Sequence, residues 1–310
     1  MKPLYPARFR SADVIAQHWA ELPENLQFYR HLRNVCHGFP STVLAYAARP
    51  GLAELAAGIA EGLMTCGINV FMPSKAVPIC ALSQALAARN LPIGLYLDGD
   101  AGLANLTLSA LSSHGGPFDA QDVQTAPFGR GSKNGVAGET DLDRAYVSNL
   151  AGLADQFIEK GIGFSSLVVP FAAVEAKLRD NESLKILFQN DPNGPRAEIS
   201  PDGQSLQIFE RDGRQIAPEQ VARDIAAYLV GERLASGSVL GPAGQIQGFP
   251  DSLEYIEVDG VAIDLNHRAS FADLLIAWWS DGSIAHQGSS CFGDAILSAV
   301  YYLEALRCRR

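Results

Sequence analysis

The chain has 310 residues, 47% of them apolar and 19% charged, with a mean hydropathy of +0.05. That balance excludes a disordered tail, and the length calls for more than one core, since single cores stop growing at about 250 to 300 residues. A formal charge of −10 excludes a general nucleic-acid binder, because no basic stripe is present to release counterions from phosphates.

Met1 to Phe9 is poor in apolar residues and carries Pro3 and Pro6, so it reads neither as a signal peptide nor as a spanning helix. The first clear element is the apolar run Thr42 to Tyr46, stopped at Arg49-Pro50-Gly51. Leu52 to Cys66 then has helical spacing through Leu55, Ile59 and Leu63, and Gly67 closes it. Ile68 to Met72 reads as a strand, and a second helix runs through Leu82, Leu86 and Ala87 to the stop at Asn90-Leu91-Pro92. Leu95-Tyr96-Leu97 is the next strand. Strand and helix alternating in this way imply an α/β protein with a parallel sheet.

Thr107 to Leu111 reads as a further strand, with a turn at His114 to Pro117. Gly129 to Gly135, rich in glycine and polar residues, is the best linker. Tyr146 to Lys160 has helical periodicity, Leu167-Val168-Val169 reads as a buried strand, and Leu184 to Phe188 as another ending at Asn190-Asp191-Pro192. A hairpin is expected around Pro201-Asp202-Gly203, with Leu206 to Phe209 leading to a turn at Asp212-Gly213. Helices Pro218 to Val230 and Asp294 to Arg307 frame the last third. The expected divisions are 1–130, 131–190 and 191–310. The five cysteines are odd in number and show no paired spacing, which points to reduced thiols, a cytoplasmic setting and no structural zinc.

The order of these pieces resembles the α-D-phosphohexomutases, the phosphomannomutase and phosphoglucomutase superfamily. Thr42 to Pro50 matches the strand and arginine loop that open that family, Glu54 to Gly67 its "ELAEALAEGLLAAG" helix, and Pro78 to Leu86 its "TPALSFAV" segment. Gly94 to Leu97 stands where the strand before the phosphoserine loop belongs, and the loop reads Asp98-Gly99-Asp100-Ala101-Gly102. Asn190 to Arg196 resembles the N-D-P-D-A-D-R metal loop, Asp212-Gly213-Arg214 with Pro218 to Tyr228 the segment after it, and Gly293 to Ala299 the G-D-G-I-L-A-A motif.

The resemblance implies mixed α/β domains lacking the family's fourth, C-terminal domain, because its R-x-S-x-T-E-P phosphate loop is nowhere in the sequence. It also implies damaged chemistry. A phosphohexomutase hands a phosphoryl group to a sugar hydroxyl from a phosphoserine next to a divalent cation. Alignment through Gly94 puts Asp100 at the serine, and a register two residues shorter puts Asp98 there. An aspartate can accept a phosphoryl group as an acyl phosphate, or be an ordinary polar loop residue. In the metal loop Asp191 remains, Asn193 offers a neutral oxygen, and Pro195 offers none, so strong Mg²⁺ binding is not expected. Asp191 equally reads as a turn residue before proline.

Arg49 and Arg196 occupy family arginine positions and suit residual contacts to a sugar phosphate, with surface arginines as the plain alternative. The sugar-gripping loop corresponds to Trp278 through His286, without its glutamate; Asp281 is its remaining carboxylate. Trp278 and Trp279 read as sugar-stacking or as core residues. The lone His267 and His286 support no catalytic triad. The expectation is a phosphohexomutase-like protein that has lost turnover and serves binding or assembly, with no cofactor beyond Mg²⁺ if any. The alternative is an active phosphotransferase or phosphatase using Asp100. A homodimer is expected through Val300 to Leu303 and Leu306 of the last helix.

Overall fold

The computed structural model describes residues 7–9, 40–89, 91, 93–100, 106–116, 134–154, 163–245, 247–258, 274–287 and 292–309. The chain divides into two compact units, Met1–Asp143 and Arg144–Arg310. Most of the expected linker, 129–133, lies outside the described residues, as does 155–160 of the expected helix ending at Lys160.

In the first unit, β1 (Ala7–Phe9), β2 (Ser41–Tyr46), β3 (Asn69–Met72), β4 (Ile93–Gly99), β5 (Leu106–Ser112) and β6 (Ala137–Glu139) form one sheet in the order β1-β5-β4-β2-β3-β6. β2 runs parallel to β3 and β4, and β6 parallel to β3. The expected parallel sheet is therefore its centre, while β5 and β1 add an antiparallel flank.

Helix α1 (Leu52–Thr65) follows β2 and buries Leu52, Ala56, Ile59, Ala60 and Leu63. Its end is a glycine cap: Gly67 has φ +84°, its N–H donates to Met64 O, and Ile68 N–H donates to Leu63 O. Helix α2 (Ile79–Arg89) packs on β4, where a Cβ on Gly94 would come within 2.7 Å of Leu86 Cδ1. Gly94 thus lets the helix sit close to the sheet.

The second unit holds α3 (Leu142–Ala154), which starts just before the division, β7 (Ser166–Val168), α4 (Ala172–Asp180), a 3₁₀ turn (Lys185–Phe188), β8 (Arg196–Ile199) and β9 (Leu206–Phe209). After them come α5 (Pro218–Gly231), β10 (Ser238–Pro242), β11 (Glu254–Val258), β12 (Leu274–Trp278), β13 (Ile284–His286) and α6 (Ala295–Cys308). Sheets β7-β8-β9 and β11-β10-β12-β13 are both mixed. The expected hairpin is present, with Ile199 opposite Leu206 and Gly203 at φ +80°.

Three expectations are corrected here. Leu184 to Phe188 is not a strand, because the Asn181 side chain accepts from the Ser183 and Leu184 N–H groups and winds the segment into the 3₁₀ turn. Leu167-Val168-Val169 is not a buried strand: β7 alternates, burying Leu167 and leaving Val168 51% exposed. Finally, Val300, Tyr301, Tyr302 and Leu303 of α6 are not an exposed apolar face: they are buried within their own unit, where α6 packs against α5, β8 and β9, and Leu306 is half-buried.

Candidate functional site

In open α/β sheets ligands bind beyond the carboxyl ends of parallel strands. At that end of β2 and β4 the register pairs Tyr46 with Leu97 and places Arg49 and Asp98 side by side. Ala47 N–H donates to Leu97 O, and a tight turn from Arg49 N–H to Ala47 O directs the chain into α1. Arg49 Nε lies 2.8 Å from Asp98 Oδ1, with both side chains mostly buried, at 21% and 25% exposure. Asp100 follows directly on Gly99, the last residue of β4, and is half-buried. Ala101 and Gly102 lie outside the described residues.

The segment Asn190–Arg196 in the second unit is built around its own aspartate. Asp191 Oδ1 accepts from Asn193 N–H at 2.9 Å, Oδ2 faces Gly163 N–H at 3.5 Å, and the main-chain oxygen accepts from Gly194 N–H at 2.9 Å. Asp191 N–H donates to Phe164 O, and Ser165 N–H to Pro195 O, which staples the loop to residues 163–165. Gly194 is required by this closeness: a Cβ there would lie 2.0 Å from Gly163 O. As donors for a hard cation the loop offers one carboxylate already engaged with main-chain N–H groups, one exposed amide and a proline. That set does not fit Mg²⁺, which demands near-octahedral oxygen ligation.

Arg196 is also occupied. Its guanidinium stands 4.3 Å over the Phe209 ring and 3.4 Å from Glu198 Oε1. Asn193 and Pro195 line a cleft of about 950 Å³ together with Arg211, Gln215, Asp224 and Arg309. Asp224 is 2% exposed, accepts from Gln220 Nε2 at 2.5 Å and pairs with Arg309. Burial pushes its carboxyl upward, against the opposing pull of Arg309 and Gln220.

In the hairpin between β12 and β13, exposed Asp281 accepts from Ser283 N–H at 2.9 Å and shapes the turn, while Gly282 supplies φ +89°. Trp278 is 1% exposed and stacks on Phe249 at 6.3 Å, so it belongs to the core and offers no sugar platform. Half-buried Trp279 packs against the cluster of Leu240, Leu274, Ala277 and Ala285.

Sequence reasoning missed a buried network at the start of α6. Asp294, fully buried, caps the helix: its Oδ1 accepts from Leu297 N–H at 3.0 Å and from Tyr146 O–H at 2.7 Å. Ser298 Oγ donates to Asp294 O and lies 2.7 Å from His286 Nε2. With the serine proton on Asp294 O, the consistent tautomer has His286 donating from Nε2, and among the described residues buried Nδ1 has no partner. Burial lowers this histidine to about 3, and Tyr301 closes over it edge-on at 5.1 Å. A histidine and serine this deeply buried form a structural pair with no access to substrate. The sequence signal was the aspartate opening an apolar helix.

No protein-family model and no curated protein matches the sequence. Solved structures do. A candidate phosphomannomutase from Thermus thermophilus superposes with a TM-score of 0.72 at 17% identity, covering 100% of this chain and 80% of that one. A phosphoglucomutase/phosphomannomutase family protein from Burkholderia thailandensis gives 0.66 at 14% identity, with 99% and 76% covered. The open form of the Paramecium phosphoglucomutase parafusin gives 0.60 at 11% identity, with 98% and 70% covered. Both units thus follow one known architecture, and the chain has the fold of the phosphomannomutases and phosphoglucomutases, the α-D-phosphohexomutase fold.

Proposed function

We propose that this chain is a phosphohexomutase-fold protein without mutase turnover, acting in the cytoplasm as a binding or assembly protein with no bound Mg²⁺. The observation that carries the reading is the state of Asp191. In this fold a cation must spread the charge of the transferring phosphoryl group, yet the one carboxylate left in the matched loop is spent on the loop's own backbone. Arg196, engaged by Phe209 and Glu198, supports the same reading. Arg49 is then the remaining candidate for an anion contact, already paired with Asp98, and Asp281 serves the turn.

The test is turnover of glucose 1-phosphate or mannose 1-phosphate with Mg²⁺ and a hexose bisphosphate activator. No activity above background is expected, and Asp100→Ser should remain inactive, because carrier and cation act on one transition state and cannot replace one another. Turnover that Asp100→Ala abolishes would sink the proposal and make Asp100 a nucleophile.

A further inference from the structure

The geometry points to Asp98 as an internal counter-anion that occupies the anion position at Arg49, so that the protein's own carboxylate keeps small oxyanions from this strand end. The inference rests on the reading of Arg49 as the residual anion contact. Arg49 Nε binds Asp98 Oδ1 at 2.8 Å, and among the described residues its two terminal nitrogens have no hydrogen-bond partner. The guanidinium is therefore neutralised but not saturated: an entering oxyanion would find donors together with a negative charge already in place.

The surroundings would otherwise suit an anion. Helix α1 starts three residues after Arg49, and its cap, Gly51, has no side chain to accept from the first-turn N–H groups. The positive end of the helix dipole adds to the guanidinium there. Against this stand Asp98 on the adjacent strand, Asp100 two residues further and exposed Glu54 in the first turn of α1. Among the described residues Asp98, Asp100 and Glu54 thus stand near Arg49 in the chain fold, and Asp98 is the carboxylate in contact with it. Unit charges a few ångströms apart in a partly buried setting interact strongly enough to set affinity. Asp98 is fixed by the backbone, since it pairs with Thr107 of β5, and so loses little entropy in holding the guanidinium.

Asp98→Asn keeps the shape and a hydrogen-bond acceptor while removing the charge. Titration of the whole protein with inorganic phosphate, followed by calorimetry at low salt, should show binding at least about tenfold tighter in Asp98→Asn than in the unaltered chain. The gain should vanish in Asp98→Asn/Arg49→Gln and shrink at high salt. Asp98→Ser, read by the phosphate-dependent rise in melting temperature, gives a second variant and a second readout. Equal phosphate affinity with and without Asp98, or a gain that survives loss of Arg49, overturns the inference. Mutase turnover by the unaltered protein would refute the proposed function and leave this comparison standing.

Discussion

Replacing Asp294 by alanine tests the buried network at the head of α6. The substitution removes the side-chain acceptor of Leu297 N–H, a helix cap worth about 1 kcal/mol. It also leaves the buried Tyr146 hydroxyl without its 2.7 Å acceptor, at about 1–3 kcal/mol. Together the loss should reach about 2–4 kcal/mol. In a unit the size of Arg144–Arg310 that lowers the melting temperature by roughly 5–15 °C. Urea unfolding followed by tryptophan fluorescence suits the question, because Trp278 lies in the same unit. Tyr146→Phe should lose less, and the double variant should be little worse than Asp294→Ala alone, since both break one contact. A loss below about 1 kcal/mol, or strictly additive variants, would refute the network as the anchor of this helix.

Other outcomes follow from the same geometry. His286 is held neutral by burial, with a folded value of about 3 below the usual 6.5, so its contribution is complete above about pH 6.5 and is lost as pH falls from there towards 3. The urea midpoint should therefore drop more between pH 7 and 4.5 in the unaltered chain than in His286→Gln; equal drops would refute the assignment. Gly194→Ala should cost about 2 kcal/mol or more by forcing its loop off Gly163. By contrast Gly152→Ala, with open space around it in α3, should stabilise by about 0.5–1 kcal/mol, and thermal melts compare the two. Asp191→Ala should destabilise the second unit by about 1–2 kcal/mol whether or not Mg²⁺ is present. Micromolar Mg²⁺ binding by calorimetry that disappears in this variant would overturn the cation argument.

Elements punctuated by glycine and proline were legible in the sequence. The β2-α1-β3-α2-β4 series was readable because Pro50-Gly51, Gly67 and Pro92 mark its turns and each helix carries an apolar stripe. Helix α4 was overlooked since only Val174 and Leu178 are buried on it, too thin a stripe to stand out. Side-chain control of the backbone was also invisible: the Asn181 amide decides that 185–188 coils. For the candidate site, sequence located the loops, while the partners that occupy Arg49, Asp191 and Arg196 come from strand register, from the loop's own turn at Asn193 and from distant residues such as Asp98 and Gly163. Asp98 entered only as an alternative alignment, and its contact with Arg49 depends on two parallel strands lying in register.

Strand β6 has a practical consequence for dissecting the protein. It closes the outer side of β3 through residues just before the division between units: Val70 N–H donates to Val136 O, Thr140 N–H to Met72 O, and Gly135 N–H to Met64 O. A recombinant fragment ended at residue 130 would strip these partners away and leave β3 as a naked edge, an invitation to intermolecular pairing. One carried through Asp143 keeps the edge covered.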